Sequence, residues 1–314
     1  MLTRRHIRAK VMQAVYAYRQ SDMQDIAVAR KNLIQGIEKI EELYSYQYSL
    51  LLAVKDMASA RIEARRGKRL ATAEDLNPNM RFVENPVFAF LEENKTLRRL
   101  AERFSSPWQD RSEYVELCYN EFLQSSEYEE YMQEETPTFI AHKKIVIFLF
   151  KKIIAPMEAV ADYYEDCHKE WVGDLQVANS MLLKTITDIY EDIPVDEMEI
   201  PTLFKDILDR DFAVKLLERT IEKGPTYRPM IEEKLQNWDA ERIAMVDFIL
   251  MEMAVVEFML FNTIPAKVTL NEYIEVAKEY STVKSSVFIN GVLDRLMESL
   301  TKEGKIQKSG RGLM

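Results

Sequence analysis

Between Phe248 and Phe261 the chain reads FILMEMAVVEFMLF, and only Glu252 and Glu257 carry charge. A helix that is apolar on every side belongs in the middle of a bundle, because none of its faces suits water. Its neighbours are then expected to be amphipathic helices. The two carboxylates fall about 140° apart on a helical wheel, so they cannot act as a pair on one face. Each is expected to hold a neighbour's polar groups or to pair with a Lys or Arg.

The rest of the chain supplies the neighbours. A first helix is expected from about Thr3 to Gln20, with Ile7, Val11, Ala14, Val15 and Tyr18 as its buried stripe. Helical spacing resumes from Ile26 to about Arg66. Asn77-Pro78 and Asn85-Pro86 mark a loop, and a short helix covers Val87–Phe104. A long helix follows Pro137 to about Val172, which Pro156 should kink or cut. Another covers Leu175–Tyr190. A helix through Leu203, Ile207, Leu216 and Ile221 is expected to stop at Gly224-Pro225, with a short helix over Pro229–Leu235. Asp239 suits the N-cap of the central helix. Thr269 and Glu272 have capping-box spacing before a Tyr273–Tyr280 helix. The last helix, about Lys284–Leu300, turns Phe288, Val292, Leu293, Leu296 and Leu300 inward. Gly291 inside it costs about 1 kcal/mol relative to alanine, which a close approach to helix 1 would explain. The tail from Thr301 reads as disordered. No strand alternation or internal repeat is found, and 8 glycines in 314 residues suit helices. The fold class is all-α.

Charge is unevenly distributed. Residues 1–70 hold fourteen Lys/Arg against seven Asp/Glu, so this segment carries +7 and the remainder −17 of the net −10. On helix 1, Arg5, Arg8, Met12, Tyr16 and Arg19 lie within about 80° of one another, and no acid precedes Asp22. Arginines in a first helical turn oppose the macrodipole. One reading is a solvated basic face. The other is a phosphate-contacting surface with Tyr16 available to stack on a base. A second basic cluster, Arg61–Arg69, reads as a charged helix end or as a frayed loop that touches nucleic acid. Residues 110–135 contain nine Asp/Glu against one Arg, read as the solvated outer face of a helix.

Catalytic parts are missing. There is no GxSxG, P-loop or GxGxxG. His6, His142 and His168 are scattered, and the single Glu165-x-x-His168 pair falls short of the two that a di-iron bundle needs. Cys118 and Cys167 lack metal spacing and are expected to be reduced thiols in a cytoplasmic protein. No signal-peptide pattern follows the basic start, and no apolar run approaches the ~20 residues of a membrane span. No cofactor, metal or membrane is therefore expected, and an enzyme is disfavoured.

Three sets of residues resemble one family, the bacterial antitermination factor NusB. The first is Arg4-Arg5-His6-Ile7-Arg8 with Ala14-Val15-Tyr16. The second is Phe212-Ala213 through Leu217, then Asn237-Trp238-Asp239 with Glu241-Arg242. The third runs from Met253-Ala254 and Glu257 through Ile264-Pro265 and Asn271-Glu272 to Phe288-Ile289-Asn290-Gly291-Val292-Leu293-Asp294. The resemblance covers residues 1–21 and 203–300. Residues 22–202 then read as a helical insertion after the first helix, and 301–314 as a basic tail.

The resemblance implies a non-enzymatic all-α bundle that pairs with the ribosomal protein NusE. The pair binds single-stranded boxA RNA in nascent ribosomal transcripts, within the elongating RNA polymerase complex and its other Nus factors. Carried over by residue, Arg4, Arg5, Arg8, Tyr16, Phe288 and Asn290 are RNA contacts, and Tyr16, Glu257 and Phe288 face NusE. A helical adaptor with weakened RNA binding is the alternative. The related helical domain fused to RNA cytosine methyltransferases implies an enzyme, but that reading needs a methyl-donor-binding α/β domain, which the chain lacks.

Overall fold

The computed structural model describes residues 1–21, 25–168, 171, 173–235 and 243–308. Among them there are helices and connecting turns but no strand. Helix α1 spans Arg4–Gln20 and α2 spans Ile26–Arg66. The chain divides into two compact units, one of Met1 with Glu38–Leu203 and one of Leu2–Ile37 with Phe204–Met314. Helix α2 contributes its first turns to the second unit and the rest to the first.

In the first unit, α2 is followed by α3 (Ala73–Leu76), α4 (Pro86–Glu93), α5 (Lys95–Arg103), α6 (Ser112–Leu123) and α7 (Ser126–Gln133). Asn85 and Asn94 cap α4 and α5 by accepting backbone N–H bonds, with Pro86 at the first position of α4. Thus Val87–Phe104 is two helices, because Asn94 ends one and starts the next. The expected long helix after Pro137 is likewise divided. Helix α8 covers Phe139–Phe148, a π-helical turn covers Leu149–Ile154, and α9 covers Glu158–Cys167. Pro156 lies at the break. Helix α10 (Leu175–Thr187) closes this unit's core, where the Tyr44 hydroxyl meets Thr185 Oγ1 at 2.7 Å. Burial raises the Tyr44 pKa above the ordinary phenol value.

The second unit holds α1, α11 (Ile207–Glu233), α12 (Met245–Leu260), α13 (Ala266–Tyr280) and α14 (Val283–Lys302). Helix α12 is the all-apolar stretch. Phe248–Val256 and Phe258 are at most 3 % exposed, and α1, α11, α13 and α14 all pack against it. Its sequence leaves no alternative, since it has no polar face to expose. Asp239, proposed as its N-cap, lies outside the described residues, and the helix begins after Ala244.

Four local expectations are overturned. Helix α11 does not stop at Gly224-Pro225 but runs through Pro225 and Pro229, because packing against α12 outweighs two lost ladder donors. Thr269 and Glu272 are not a capping box. They lie inside α13, whose first residue follows Pro265, and both side chains are engaged by other helices. On α14, Ile289 is buried along with Val292, Leu293, Leu296 and Leu300, while Phe288 is only half-buried. The tail residues 301–308 are ordered. Gly304 turns with φ +65°, the Lys305 N–H donates to Leu300 O at 2.9 Å, and Lys308 Nζ donates to Glu257 O and Phe261 O, each at 3.0 Å. That ammonium satisfies two carbonyls at the C-terminal end of α12, where a cation is favoured. Burial lowers its pKa and Glu257 raises it, with a net decrease. Lys308→Ala is expected to lower stability by about 1–2 kcal/mol, read as faster amide exchange in the last turn of α12.

Gly291 is open on its Cβ side, with nothing within 4 Å, so no close approach explains it. Gly291→Ala is therefore expected to stabilise the unit by about 1 kcal/mol through helix propensity alone, measured as a raised urea midpoint.

Candidate nucleic-acid interface

Helix α1 starts at a reciprocal cap. The His6 N–H donates to Thr3 Oγ1 at 3.3 Å, and the Thr3 N–H donates to His6 Nδ1 at 3.4 Å. A capping His must be neutral at Nδ1 to accept that bond. Burial lowers the His6 pKa, and the adjacent Arg5 charge adds to the effect. The unfolded chain therefore takes the proton more readily. The stabilisation is complete above about pH 6.5 and is lost as pH falls through the folded pKa. NMR titration of His6 is expected to give a midpoint below the usual imidazole value.

The arginines that follow oppose the helix dipole, and the structure shows what neutralises them. Arg4 Nε donates to Asp209 Oδ1 of α11 at 3.0 Å. Arg5 donates through Nε and Nη2 to Glu272 of α13 at 3.2 and 3.0 Å, with Glu275 3.9 Å away. Arg8 donates through Nε and Nη2 to Glu257 of α12 at 2.9 and 2.6 Å. Each acid comes from a different tertiary neighbour, which is why α1 needs none of its own.

The Arg8–Glu257 pair is interior. The two side chains are 2 % and 0 % exposed. Glu257 also accepts from Thr269 Oγ1 at 2.7 Å and Tyr273 OH at 3.2 Å, so four donors converge on one carboxylate. The Arg8 guanidinium carbon lies 5.3 Å from the Phe212 ring centre and 5.7 Å from that of Tyr273. Burial disfavours the Arg8 charge, but Glu257 more than reverses this and raises its pKa. Burial raises the Tyr273 pKa strongly, and the Glu257 charge adds to it.

The placement of two expected surface residues is therefore corrected: Arg8 and Glu257 are not on an exposed face but bind each other in the core. Arg4 and Arg5 keep about two fifths of their side chains exposed, and Tyr16 is 38 % exposed. Asn290 is exposed and Phe288 is half-buried, both on α14, which packs on α12 and α13. Further along α1, Arg19 pairs with Glu252, the second carboxylate of α12. Gly224 fits against this pair, since an added Cβ would stand 2.9 Å from Glu252 Oε2. The sequence placed Arg19 on the basic face of α1 and Gly224 at a helix end, but brought neither to Glu252. The usable signal was the Glu252 charge on a helix with no polar face, which requires a cation from elsewhere.

The helices that surround this cluster carry a family signature. The model of the NusB family matches residues 176–298, from α10 through most of α14. The transcription antitermination protein NusB of Salinibacter ruber is 38 % identical over 122 residues, covering 39 % of this chain and 71 % of that protein. The chain belongs to the NusB family. The protein of that name from Chloroherpeton thalassium is 39 % identical over 109 residues, 35 % of this chain and 52 % of the relative. That from Listeria monocytogenes is 38 % identical over 104 residues, 32 % of this chain and 81 % of the relative. No solved structure matches. Helix α1 lies outside the segment matched by the family model, yet it packs on three helices inside that segment, α11, α12 and α13. Among the described residues of this NusB-family chain, no group of His, Cys, Asp and Glu is arranged to hold a metal ion. No described helix is long and apolar enough to cross a membrane.

Proposed function

We propose that this chain is a cytoplasmic, non-catalytic transcription antitermination factor. In this reading it binds boxA-type single-stranded RNA together with NusE, within the elongating polymerase complex and its other Nus factors. The observation that carries the proposal is 38 % identity across 71 % of a relative bearing the antitermination name. The RNA surface is assigned to Arg4, Arg5 and Tyr16 of α1 with Phe288 and Asn290 of α14. NusE is assigned to the same neighbourhood through Tyr16 and Phe288. Arg8 and Glu257 serve this surface from beneath, by fixing α1 to α12 and α13.

The geometry makes the affinity of the chain alone low. Arg4 and Arg5 each spend donors on a carboxylate, which opposes their pull on phosphate. With two phosphate contacts, log K should fall with log salt at a slope near −1.4, against about −2.1 had Arg8 been a third. Titration of boxA RNA with the chain plus NusE, at several salt concentrations, reads this slope. Arg5→Glu is expected to weaken the complex at least about tenfold, through lost attraction and added repulsion. No RNA shift in the presence of NusE sinks the proposal.

The same internal pairing favours a second reading, a helical adaptor whose RNA affinity has declined. It predicts retention of NusE in a pull-down, with negligible RNA binding that does not respond to salt.

A further inference from the structure

The acidic segment of the first unit has no place in the function proposed above. In the fold it forms one wall of a groove between α7 and α8. Glu127, Glu130 and Glu134 line that wall, spaced so that all fall within about 60° on a helical wheel. All three are exposed, and among the described residues Glu127 accepts only from its neighbour Ser126, at 3.1 Å. None of these carboxylates is held in an ion pair among the described residues, whereas most arginines of the chain are.

The facing wall is apolar. Ile140 is 62 % exposed, and Phe148 and the buried Ile145 continue the surface along α8. Among the described residues Lys144 is the one cation lining the groove, whose volume is about 570 Å³. The floor is held in place. The Tyr131 hydroxyl lies 2.7 Å from His142 Nδ1 and accepts from Asn85 Nδ2 at 3.2 Å. Arg81 Nη1 donates to the carbonyls of Tyr131 and Met132 at 2.8 and 2.6 Å. These bonds tie the C-terminal turn of α7 to the loop before α4, so the groove is formed before anything binds.

We propose that this groove binds a basic segment of a partner protein, with a bulky apolar side chain seated against Ile140 and Phe148 and Lys or Arg residues facing the three glutamates. The charge complementarity selects the occupant. Three carboxylates against one ammonium repel RNA and anionic lipid surfaces. An apolar anchor in a preformed cleft gives affinity, and the flanking cations give orientation.

The test uses the full chain and a synthetic amphipathic peptide of about twelve residues built from Lys, Leu and Ala. Two counterparts carry Glu in place of Lys, or Ala in place of Leu. The Lys–Leu peptide is expected to bind and both counterparts to fail. The triple variant Glu127→Gln, Glu130→Gln, Glu134→Gln and, separately, Ile140→Asp should each weaken binding about tenfold or more. Lys144→Glu should strengthen it, because it replaces the one opposing charge. Amide exchange on the wild-type complex should slow in α7 and α8. An equal loss of affinity in Asp162→Asn, Glu165→Gln, Asp166→Asn, three exposed acids of α9, shows general charge attraction and overturns the proposal. So does preference for the Glu peptide, for a uridine oligonucleotide or for anionic vesicles.

Discussion

Glu257→Gln lowers the stability of the unit formed by α1 and α11–α14 by about 3–5 kcal/mol, the range for breaking a buried ion pair from one side. The substitution keeps the shape and leaves Arg8 charged at 2 % exposure. It also exchanges a carboxylate that accepts four hydrogen bonds for an amide whose nitrogen must donate. Glu272, 3.6 Å from Arg8 Nη1, compensates only part of the charge, because it is shared with Arg5 and makes no short hydrogen bond to the Arg8 guanidinium. Amide exchange in α12 and α13 reads the loss in this unit alone. Arg8→Met combined with Glu257→Met should recover much of it, because no unpaired charge then remains in the core. Equal exchange rates in wild type and Glu257→Gln would show that the pair is not holding the bundle.

The second large effect is at Gly224. Its Cα faces Glu252, which is 1 % exposed and bound to Arg19, and Arg19 Nη2 would lie 3.5 Å from an added Cβ. A Cβ at 2.9 Å from Glu252 Oε2 forces that carboxylate to move. In Gly224→Val the branched side chain adds overpacking of about 1–3 kcal/mol, and the carboxylate is pushed off its cation as well. The urea midpoint is expected to fall accordingly. Glu252→Ala in the same chain should relieve most of the steric part, so the two substitutions should be strongly non-additive. Additive losses would place the strain elsewhere. The contrast with Gly291→Ala is instructive: the same residue type in a helix is a necessity at one site and a defect at the other.

Several features were legible before any coordinates. The charge-poor run of α12 demanded a central position. Its two glutamates, too far apart to cooperate, demanded separate cations, and they found Arg8 and Arg19. The break at Pro156 follows from local bonding. Two misreadings share one cause. Gly224-Pro225 looks like a helix end, and Thr269 with Glu272 like a helix start, when only neighbours in sequence are considered. In the fold, packing of α11 along α12 carries the helix past two prolines, and the side chains of Thr269 and Glu272 answer to Glu257, Arg5 and Arg8 instead.

The basic face of α1 shows the boundary most clearly. Sequence alone established that arginines crowd a helix N-terminus with no local acid, and left two readings, a solvated basic face and a phosphate-contacting surface. Neither reading included the set of tertiary carboxylates that the fold supplies. Only the fold could show them, because Asp209, Glu257 and Glu272 lie more than two hundred residues away in the chain and within hydrogen-bond reach in space. Hydrophobic periodicity is written residue by residue and determines which helices form and which one lies at the centre. Which charge meets which is settled by how those helices pack, and that is a property of the tertiary structure.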